Sequence, residues 1–423
     1  MNINQRKNQL PKDWKQVRLG EVCKLKNGFA FKSTDYVNEG VPVLRISDIK
    51  SGSVRADKSV KVVLKKEYEE YVVLENDILV AMSGATTGKF GIYKSYDKAY
   101  QNQRVGKFQI LDKQKLDNEF LLYQLHALKR QIEKDAYGGA QPNISSGKIE
   151  AMEILLPPKP TQQAIVSKIE ELFSELDKGI ENLRTAQQQL KTYRQAVLKW
   201  AFEGKLTNEN VKEGVLPQGW RMVKTIDVIE IINNGYTPTS QYLSQGSGEI
   251  PFIKVYNLKF DGSLNFSKNP TFIPAANHKK DLKRSICLPG DVLINIVGPP
   301  LGKVSVVTNQ YPEWNINQAI VMFRPNGKVL SKYISYFMQN SATINWLENT
   351  SKATAGQWNV KVSTCREIPF PFCLIEEQKK IVYQIESRLN VSDKMEESII
   401  QSLQQADGLR QSILKRAFKG ELI

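Results

Sequence analysis

Apolar residues at three- and four-residue steps mark two long segments of the chain. Each segment follows a proline-rich stretch, residues 157–160 and 369–371, and then continues without proline. The first stripe consists of Ile165, Ile169, Leu172, Leu176, Ile180, Leu183, Ala186, Leu190, Tyr193 and Val197. The second consists of Ile381, Ile385, Leu389, Met395, Ile399, Leu403, Ala406, Leu409 and Ile413. This heptad-like spacing predicts two helices of about 60 Å each.

Two such helices in one chain pack most simply on each other, and antiparallel packing would place the remaining segments at opposite ends. The alternative is two independent helices, each lying on its own domain. A stripe this long exceeds the face of a domain of about 150 residues. The pattern therefore favours an antiparallel, coiled-coil-like pair.

The remaining segments mix short β-type runs with Gly, Asn and Ser turns and with short helical stretches such as residues 118–134. They indicate α/β domains, so that the chain as a whole is α+β. The domain limits that we predict are 1–158, 159–205 for the first long helix, 206–213 for a linker, 214–373, and 374–423 for the second long helix.

An internal repeat relates the two halves of the chain. Six pairs of segments match in the same order: 11–14 with 217–220, 41–48 with 250–257, 77–89 with 291–303, 139–144 with 355–360, 162–166 with 378–382, and 194–204 with 410–420. The offset rises smoothly from 206 to 216, as loop insertions in the second copy would require. Repeated domains and antiparallel helices together predict an internal pseudo-two-fold axis.

The formal net charge of +15 is unevenly distributed. Residues 1–155 hold 26 Lys+Arg against 19 Asp+Glu, and residues 214–372 hold 16 against 9. The two long helices are close to neutral, with 7 against 6 in residues 160–205 and 8 against 8 in residues 376–423. This distribution suits two anion-binding domains joined by a neutral spacer, and nucleic acid is the first partner to consider.

The residue types exclude most catalytic and metal-binding chemistry. The four cysteines form no CxxC pair and there are two histidines, His126 and His278. We expect a reducing, cytoplasmic location, because the chain shows neither a membrane-length apolar run nor a secretory signal. His126 lies in an amphipathic helical pattern and is expected to be structural, whereas His278, beside two lysines, is expected at the surface or facing phosphate.

Two short motifs imitate catalytic signatures. Gly84-Ala-Thr-Thr-Gly-Lys89 is one residue short of a phosphate-binding loop, and Phe90 stands where a Ser or Thr would ligate magnesium. We therefore interpret it as a tight turn after a strand. Asn269-Pro-Thr-Phe272 resembles an adenine-methyltransferase motif, but it follows a polar stretch and no S-adenosylmethionine loop accompanies it. The residues predict a chain that binds rather than catalyses.

Polar and cationic side chains collect at equivalent predicted strand ends of both domains. In the first domain they are Arg45, Ser47, Asp48, Lys50, Ser83, Thr86, Thr87, Lys89, Asn102, Gln103 and Arg104. In the second they are Lys254, Tyr256, Asn257, Lys259, Lys303, Asn315, Asn317 and Gln318. Arg, Lys, Asn and Gln supply the donors and acceptors that pair with base edges in the major groove. For any single residue, ordinary loop polarity is the competing interpretation.

These features closely resemble the specificity subunit of type I restriction–modification systems. The resemblance covers the whole chain. It is most specific at the Pro-x-x-Trp openings (Pro11, Pro217), the Gln-x-x-Ile-Val helix starts (Gln162, Gln378), and the Ala-Phe-x-Gly ends (Ala201 and Ala417). It implies two target-recognition domains, each reading one part of a split double-stranded DNA target, with the helices setting the spacer.

The resemblance also implies partners. Two methyltransferase subunits would dock on this chain and two motor–nuclease subunits would complete the complex. S-adenosylmethionine, ATP and magnesium would belong to those partners, and this chain would carry no cofactor and no catalytic residue. Two alternatives stay open: a methylation-only or phage-defence assembly without a nuclease, and a structural coiled-coil tether whose domains bind protein.

Overall fold

The computed structural model describes residues 13–50, 52–95, 97–136, 142–351, 353–354 and 357–423. The sequence matches at Pro11, at residues 139–141 and at residues 355–356 lie outside these ranges. The chain divides into two compact units. Unit 1 comprises residues 1–183 and 401–423, and unit 2 comprises residues 184–400. The predicted domain limits remain a prediction, since this division assigns part of each long helix to each unit.

Unit 1 alternates short strands and turns. Its strands are β1 (Lys15–Arg18), β2 (Cys23–Asn27), β3 (Tyr36–Val37), β4 (Val41–Leu44), β5 (Ile49–Lys50), β6 (Gly52–Val54), β7 (Lys61–Val62), β8 (Val72–Val73), β9 (Ile78–Ala81), β10 (Phe90–Tyr93), β11 (Ala99–Gln101), β12 (Val105–Ile110) and β13 (Glu153–Leu156). Its shorter helices are α1 (Leu19–Val22), α2 (Asn118–Ala136) and α3 (Ser146–Glu150). The long helix α4 (Lys159–Phe202) begins in unit 1 and ends in unit 2.

Unit 2 has the same kind of structure. Its strands are β14 (Arg221–Lys224), β15 (Ile229–Asn234), β16 (Ser244–Gln245), β17 (Ile250–Ile253), β18 (Thr271–Ile273), β19 (Ile286–Cys287), β20 (Val292–Asn295), β21 (Val297–Gly298), β22 (Val304–Val306), β23 (Trp314–Ile316), β24 (Ile320–Pro325), β25 (Ala353–Thr354), β26 (Gln357–Asn359) and β27 (Pro369–Phe372). Its shorter helices are α5 (Thr225–Val228), α6 (Ala275–Lys279), α7 (Ser331–Gln339), α8 (Ser341–Asn349) and α9 (Val362–Arg366). The long helix α10 (Ile375–Ala417) begins in unit 2 and ends in unit 1.

The sheets of the two units have matching topology. The order β2-β12-β9-β10 in unit 1 corresponds to β15-β24-β20-β22 in unit 2, and β3-β7-β4-β11-β8 corresponds to β16-β18-β17-β23-β19. In each unit a small antiparallel pair, β1 with β13 or β14 with β27, ties the start of the domain to the strand that precedes its long helix. The repeat seen in the sequence is therefore a repeat of strand order.

Within each unit the two long helices run antiparallel. In unit 1, Ile165 and Ile169 of α4 share a core with Ala417 of α10, and farther along α4 Asp177 forms an ion pair with Arg410. In unit 2, Arg194 of α4 pairs with Asp393 and, at 3.5 Å, with Glu396 of α10. The antiparallel pairing that the apolar stripes predict is confirmed.

One glutamine anchors the start of each long helix. Gln162 accepts a hydrogen bond from the Asp117 amide at 2.9 Å and donates to the carbonyl groups of Lys115 and Pro157. Gln378 accepts from the Leu330 amide, also at 2.9 Å, and donates to the carbonyls of Lys328 and Cys373. Both side chains are fully buried. The repeated Gln therefore satisfies three backbone groups where helix, loop and preceding strand meet.

The repeated Ala-Phe pair closes each core at the end of a long helix. The Phe202 ring packs edge-on against Tyr333 and Phe337 in unit 2, and the Phe418 ring packs against Phe120 in unit 1. Within the described part of the chain, no helix is long and apolar enough to cross a bilayer.

Candidate nucleic-acid interface

Three polar loops meet at one edge of unit 1. Strands β4 and β11 are parallel neighbours, so the loops that follow them leave the sheet on the same side. The Asn102 amide donates to the Leu44 carbonyl, and the Met82 amide donates to the Arg104 carbonyl. The Thr86 hydroxyl reaches the Ile46 carbonyl at 3.2 Å, which joins the loop after β9 to the loop after β4. The folded chain thus brings the three candidate loops of unit 1 together.

Unit 2 repeats this arrangement with different residues. Strands β17 and β23 are parallel, and the Asn317 amide donates to the Ile253 carbonyl. The Ile296 amide donates to the Ala319 carbonyl, and Lys259 forms a backbone bridge with Val304, next to Lys303. The loops predicted from the sequence therefore converge in both units.

Several of the predicted contact residues direct their polar atoms into the fold. Asp48 accepts a hydrogen bond from the Arg45 amide at 2.8 Å, and Asn257 accepts one from the Lys254 amide at 2.9 Å. The two side chains therefore cap equivalent turns in the two units. Thr87 is buried against the carbonyls of Gly84 and Pro142. Asn315 is fully buried between Ser285 and His278. These four side chains hold the loops in place and are not among the side chains that the loops expose to solvent.

The other predicted residues reach the surface. The exposed ones are Ser47, Lys50, Lys89, Gln103, Arg104 and Gln318, and the half-buried ones are Arg45, Ser83, Thr86, Asn102, Lys254, Tyr256, Lys259, Lys303 and Asn317. Arg45 lies 3.9 Å from Asp48, and the Tyr256 hydroxyl donates to the Asn269 carbonyl. The rim of each unit is therefore cationic and rich in amides, which suits phosphate and base-edge contacts.

The surface position that the sequence suggests for His278 is wrong. Its side chain is fully buried, with Nε2 at 3.2 Å from the Glu313 carboxylate and Nδ1 at 3.0 Å from the Asn315 amide nitrogen. The two lysines that follow His278 in the sequence suggested exposure, but α6 turns its histidine inward. His126 is structural as expected, and its ring packs edge-on at 4.7 Å from Phe90.

A fourth segment at the same edge escaped the sequence analysis. A Cβ atom on Gly28 would lie 2.1 Å from the Gln101 carbonyl oxygen, and one on Gly235 would lie 2.1 Å from that of Ile316. Only glycine fits so close to a neighbouring backbone. Each glycine thus holds the segment after β2 or β15 against the strand end that carries the third loop. The signal was present as the repeat of Asn27-Gly-Phe29 in Asn234-Gly-Tyr236, at an offset of 207.

The buried thiols have the chemistry of core residues. Burial raises the pKa of Cys23, Cys365 and Cys373 to about 12, and it raises the pKa of Cys287 well above its usual value. These thiols therefore stay protonated at neutral pH and are poor nucleophiles. Among the described residues, no group of three or more His, Cys, Asp or Glu side chains is arranged to hold a metal ion.

The segment after β9 is a tight turn, as predicted. It is closed by hydrogen bonds from the Thr87 amide to the Gly84 carbonyl and from the Lys89 amide to the Thr86 carbonyl.

Comparisons with known proteins agree with this architecture. The domain described as "Type I restriction modification DNA specificity domain" matches residues 11–184 and again residues 217–405. The chain is 28% identical to the type I restriction enzyme EcoBI specificity subunit of Escherichia coli, over 97% of this chain and 86% of that protein. It is 23% identical to the MjaVIII specificity subunit of Methanocaldococcus jannaschii, over 90% of this chain and 87% of that protein.

Two solved structures share the fold. A chain from a study of assembly and conformational transition of the type I R-M system superposes with a TM-score of 0.72 at 20% identity, over 98% of this chain and 99% of that one. The HsdS subunit from Thermoanaerobacter tengcongensis superposes with a TM-score of 0.60 at 19% identity, over 98% of both chains. The doubled domain match, which covers most of the sequence, shows that the chain belongs to the family of type I restriction–modification specificity subunits.

Proposed function

We propose that each unit reads one half of a bipartite double-stranded DNA target through its rim of converging loops. One observation carries this proposal: both units hold the loops with equivalent internal contacts, but side chains at matched surface positions differ, such as Ser47 against Tyr256 and Arg104 against Ala319. In unit 1 the side chains of the rim are Arg45, Ser47, Lys50, Thr86, Lys89, Asn102, Gln103 and Arg104. In unit 2 they are Lys254, Tyr256, Lys259, Lys303, Asn317 and Gln318. Two different rims on one framework suit two different half-targets.

The charge distribution supports a DNA partner over a protein tether. Residues 1–155 and residues 214–372 each carry a net charge of +7, whereas the helices are close to neutral. Cationic domains that neutralise phosphates release counterions, so affinity falls steeply with salt. A domain that bound protein through apolar contacts would respond weakly to salt.

A salt titration of DNA binding tests the proposal. We expect the logarithm of the association constant to fall linearly with the logarithm of the salt concentration, with a slope of several units. Changing Lys89 or Lys259 to Ala should each reduce the slope by about one if that residue contacts a phosphate. The matched control is Lys191→Ala on α4. A flat response of the wild-type chain between low and physiological salt would contradict the proposal.

The long helices supply the surface on which we place the methyltransferase partners. In unit 1 an apolar groove of about 450 Å³ is lined by Leu176, Ile180, Leu183 and Leu409. In unit 2 a groove of about 620 Å³ lies at the matched position of the repeat and is lined by Leu190, Tyr193, Met395 and Ile399. Because the groove recurs with the repeat, one kind of partner can dock twice. This is the basis for two methyltransferase subunits, with two motor–nuclease subunits completing the complex.

The chemistry of the assembly would then reside outside this chain. S-adenosylmethionine, ATP and magnesium are assigned to the partners, and this chain contributes recognition without a catalytic group. Comparing the methylated positions in the genome of the host with and without this gene tests whether this chain directs the methylation. Loss of one split adenine-methylation motif is the expected result, and an unchanged set of methylated positions would contradict it.

The helices are also proposed to set the spacer between the two half-targets. Inserting about four residues, close to one helical turn of 5.4 Å, at matched points in α4 and α10 should lengthen the spacer by one or two base pairs. The half-target sequences should stay the same. Altered half-targets with an unchanged spacer would show that the helices do not measure distance.

A further inference from the structure

Two large aromatic side chains of unit 2 are exposed on segments that the structure ties to the candidate loops. Tyr236 is 61% exposed and Phe260 is 54% exposed. Isolated exposed apolar residues are common on protein surfaces and need no explanation. These two stand out because each is held in place by a specific contact beside the proposed DNA-reading residues.

Tyr236 is positioned by the glycine before it. The Gly235 amide donates to the Ile320 carbonyl at 3.0 Å, and a Cβ atom on Gly235 would lie 2.2 Å from the Asn317 carbonyl oxygen. The backbone at Gly235 therefore lies directly against the loop that carries Asn317 and Gln318. The backbone of the next residue, Tyr236, therefore lies close to that loop, and its ring is exposed to solvent.

Phe260 is positioned by a lysine. The bridge between Lys259 and Val304 brings the two segments together, and Lys303 places its ammonium group 5.9 Å from the centre of the Phe260 ring. A cation at this distance over a ring face is attracted to the ring and restrains it. The ring therefore lies beside two lysines of the proposed DNA-reading rim, Lys259 and Lys303.

Unit 1 uses its equivalent aromatic residue differently. Phe29 also follows a glycine held against a strand end, but its ring packs against Phe31, Tyr68 and Tyr71 at 5.0–5.4 Å. The residue that corresponds to Phe260 in the repeat is Ser51, which lies outside the described residues. At the position directly after this glycine, the aromatic side chain is therefore exposed in unit 2 and packed against other rings in unit 1.

The chemistry of a base edge limits what such rings can recognise. An aromatic ring makes apolar contacts, and the apolar group that bases present in the major groove is the 5-methyl group of thymine. We propose that Tyr236 and Phe260 are specificity-determining residues that contact thymine methyl groups in the half-target read by unit 2. This inference rests on the proposed function of unit 2 as a DNA reader.

Replacing thymine by deoxyuridine, one position at a time, tests the inference with the full chain. Deoxyuridine keeps the hydrogen-bonding groups and lacks the methyl group. We expect wild-type affinity to fall about three- to fivefold at a contacted thymine, from the loss of one buried methyl group. Tyr236→Ala and Phe260→Ala should each weaken binding to the normal target and abolish the difference between thymine and deoxyuridine at one position. Tyr236→Phe should keep both the affinity and the difference.

The matched control is Tyr383→Ala, since Tyr383 is 68% exposed on α10 of the same unit. It should leave DNA binding and the deoxyuridine response unchanged. Because all three side chains are exposed, the alanine variants should unfold at the wild-type temperature.

A wild-type chain that prefers one DNA sequence but tolerates every deoxyuridine overturns this inference alone. Equal losses in Tyr236→Phe and Tyr236→Ala would assign the contact to the hydroxyl group and also overturn it. A chain without any sequence preference would instead overturn the proposed function.

Discussion

The two units share several internal polar contacts and differ at several positions that face solvent. The turn after β4 is capped by Asp48 and the matched turn after β17 by Asn257, with the same donor position and nearly the same distance. Gln162 and Gln378 make the same three hydrogen bonds. At the rim, by contrast, unit 1 presents Ser47 and Arg104 where unit 2 presents Tyr256 and Ala319.

This difference separates two kinds of polar residue. A buried polar group must keep its hydrogen-bond partner, because leaving it without one costs about 1–3 kcal/mol. An exposed loop residue has water as an alternative partner, so its identity is free to follow the DNA sequence. A repeated domain can therefore change its target without changing its fold.

The largest difference is expected at a matched pair of aspartates, each of which binds a basic residue from a different position of the repeat. In unit 2, Asp291 is almost fully buried and binds Arg324 through two hydrogen bonds of 2.7 and 3.0 Å. In unit 1, the matched Asp77 is 3.3 Å from Lys107 and more exposed. Asp291→Ala should lower the free energy of unfolding by about 3–5 kcal/mol, because it leaves a partly buried guanidinium without its partner. Asp77→Ala should cost about 1–2 kcal/mol.

Scanning calorimetry of the full chain measures both effects, since the two units can unfold in separate transitions. Lys332→Ala serves as a control for a surface ion pair, because Lys332 is largely exposed beside Glu386. It should change stability by less than about 1 kcal/mol. Equal losses for the two aspartate variants would show that burial does not distinguish these pairs.

The two glutamines that anchor the long helices should contribute equally to the stability of the two units. Gln162→Ala and Gln378→Ala each leave three backbone groups without a partner inside the protein. We expect each to lower the free energy of unfolding by about 2–4 kcal/mol, with the two values within about 1 kcal/mol of each other. Chemical denaturation monitored by circular dichroism measures both. A large loss at one glutamine and none at the other would mean that the helix starts are anchored in different ways.

A smaller, pH-dependent effect is expected from His126 in unit 1. Burial, helped by the charges of Lys129 and Arg410, lowers the pKa of His126 from 6.5 to about 4. Between these values the unfolded chain binds a proton that the folded chain excludes, so stability is fully present above pH 6.5 and declines as the pH falls towards 4. The full loss amounts to about 3 kcal/mol.

His126→Phe should remove this part of the pH dependence while it keeps an aromatic ring against Phe90. The measurement is the unfolding temperature of unit 1 at a series of pH values from 7.5 to 4. A variant with the same pH profile as the wild type would show that His126 does not titrate in this window.

Local patterns in the sequence determined the architecture of this protein. The apolar steps predicted both long helices, because a buried stripe on a helix must recur at the helical period. The repeat predicted two equivalent domains, and the short β-type runs predicted the strand ends at Arg45 and Lys254. Each of these features depends on neighbouring residues or on the order of segments. Both can be read from a single sequence.

The direction of each polar side chain was decided by the tertiary structure. Thr87 turns inward because the Pro142 carbonyl, 55 residues away, accepts its hydrogen bond. Asn315 and His278 are buried together across 37 residues, whereas the two lysines after His278 suggested exposure. Tyr236 faces solvent while Phe29 joins an aromatic cluster, although both follow a glycine in the same motif. Such choices depend on which distant groups lie opposite once the sheets have formed, and a local pattern contains no information about those groups.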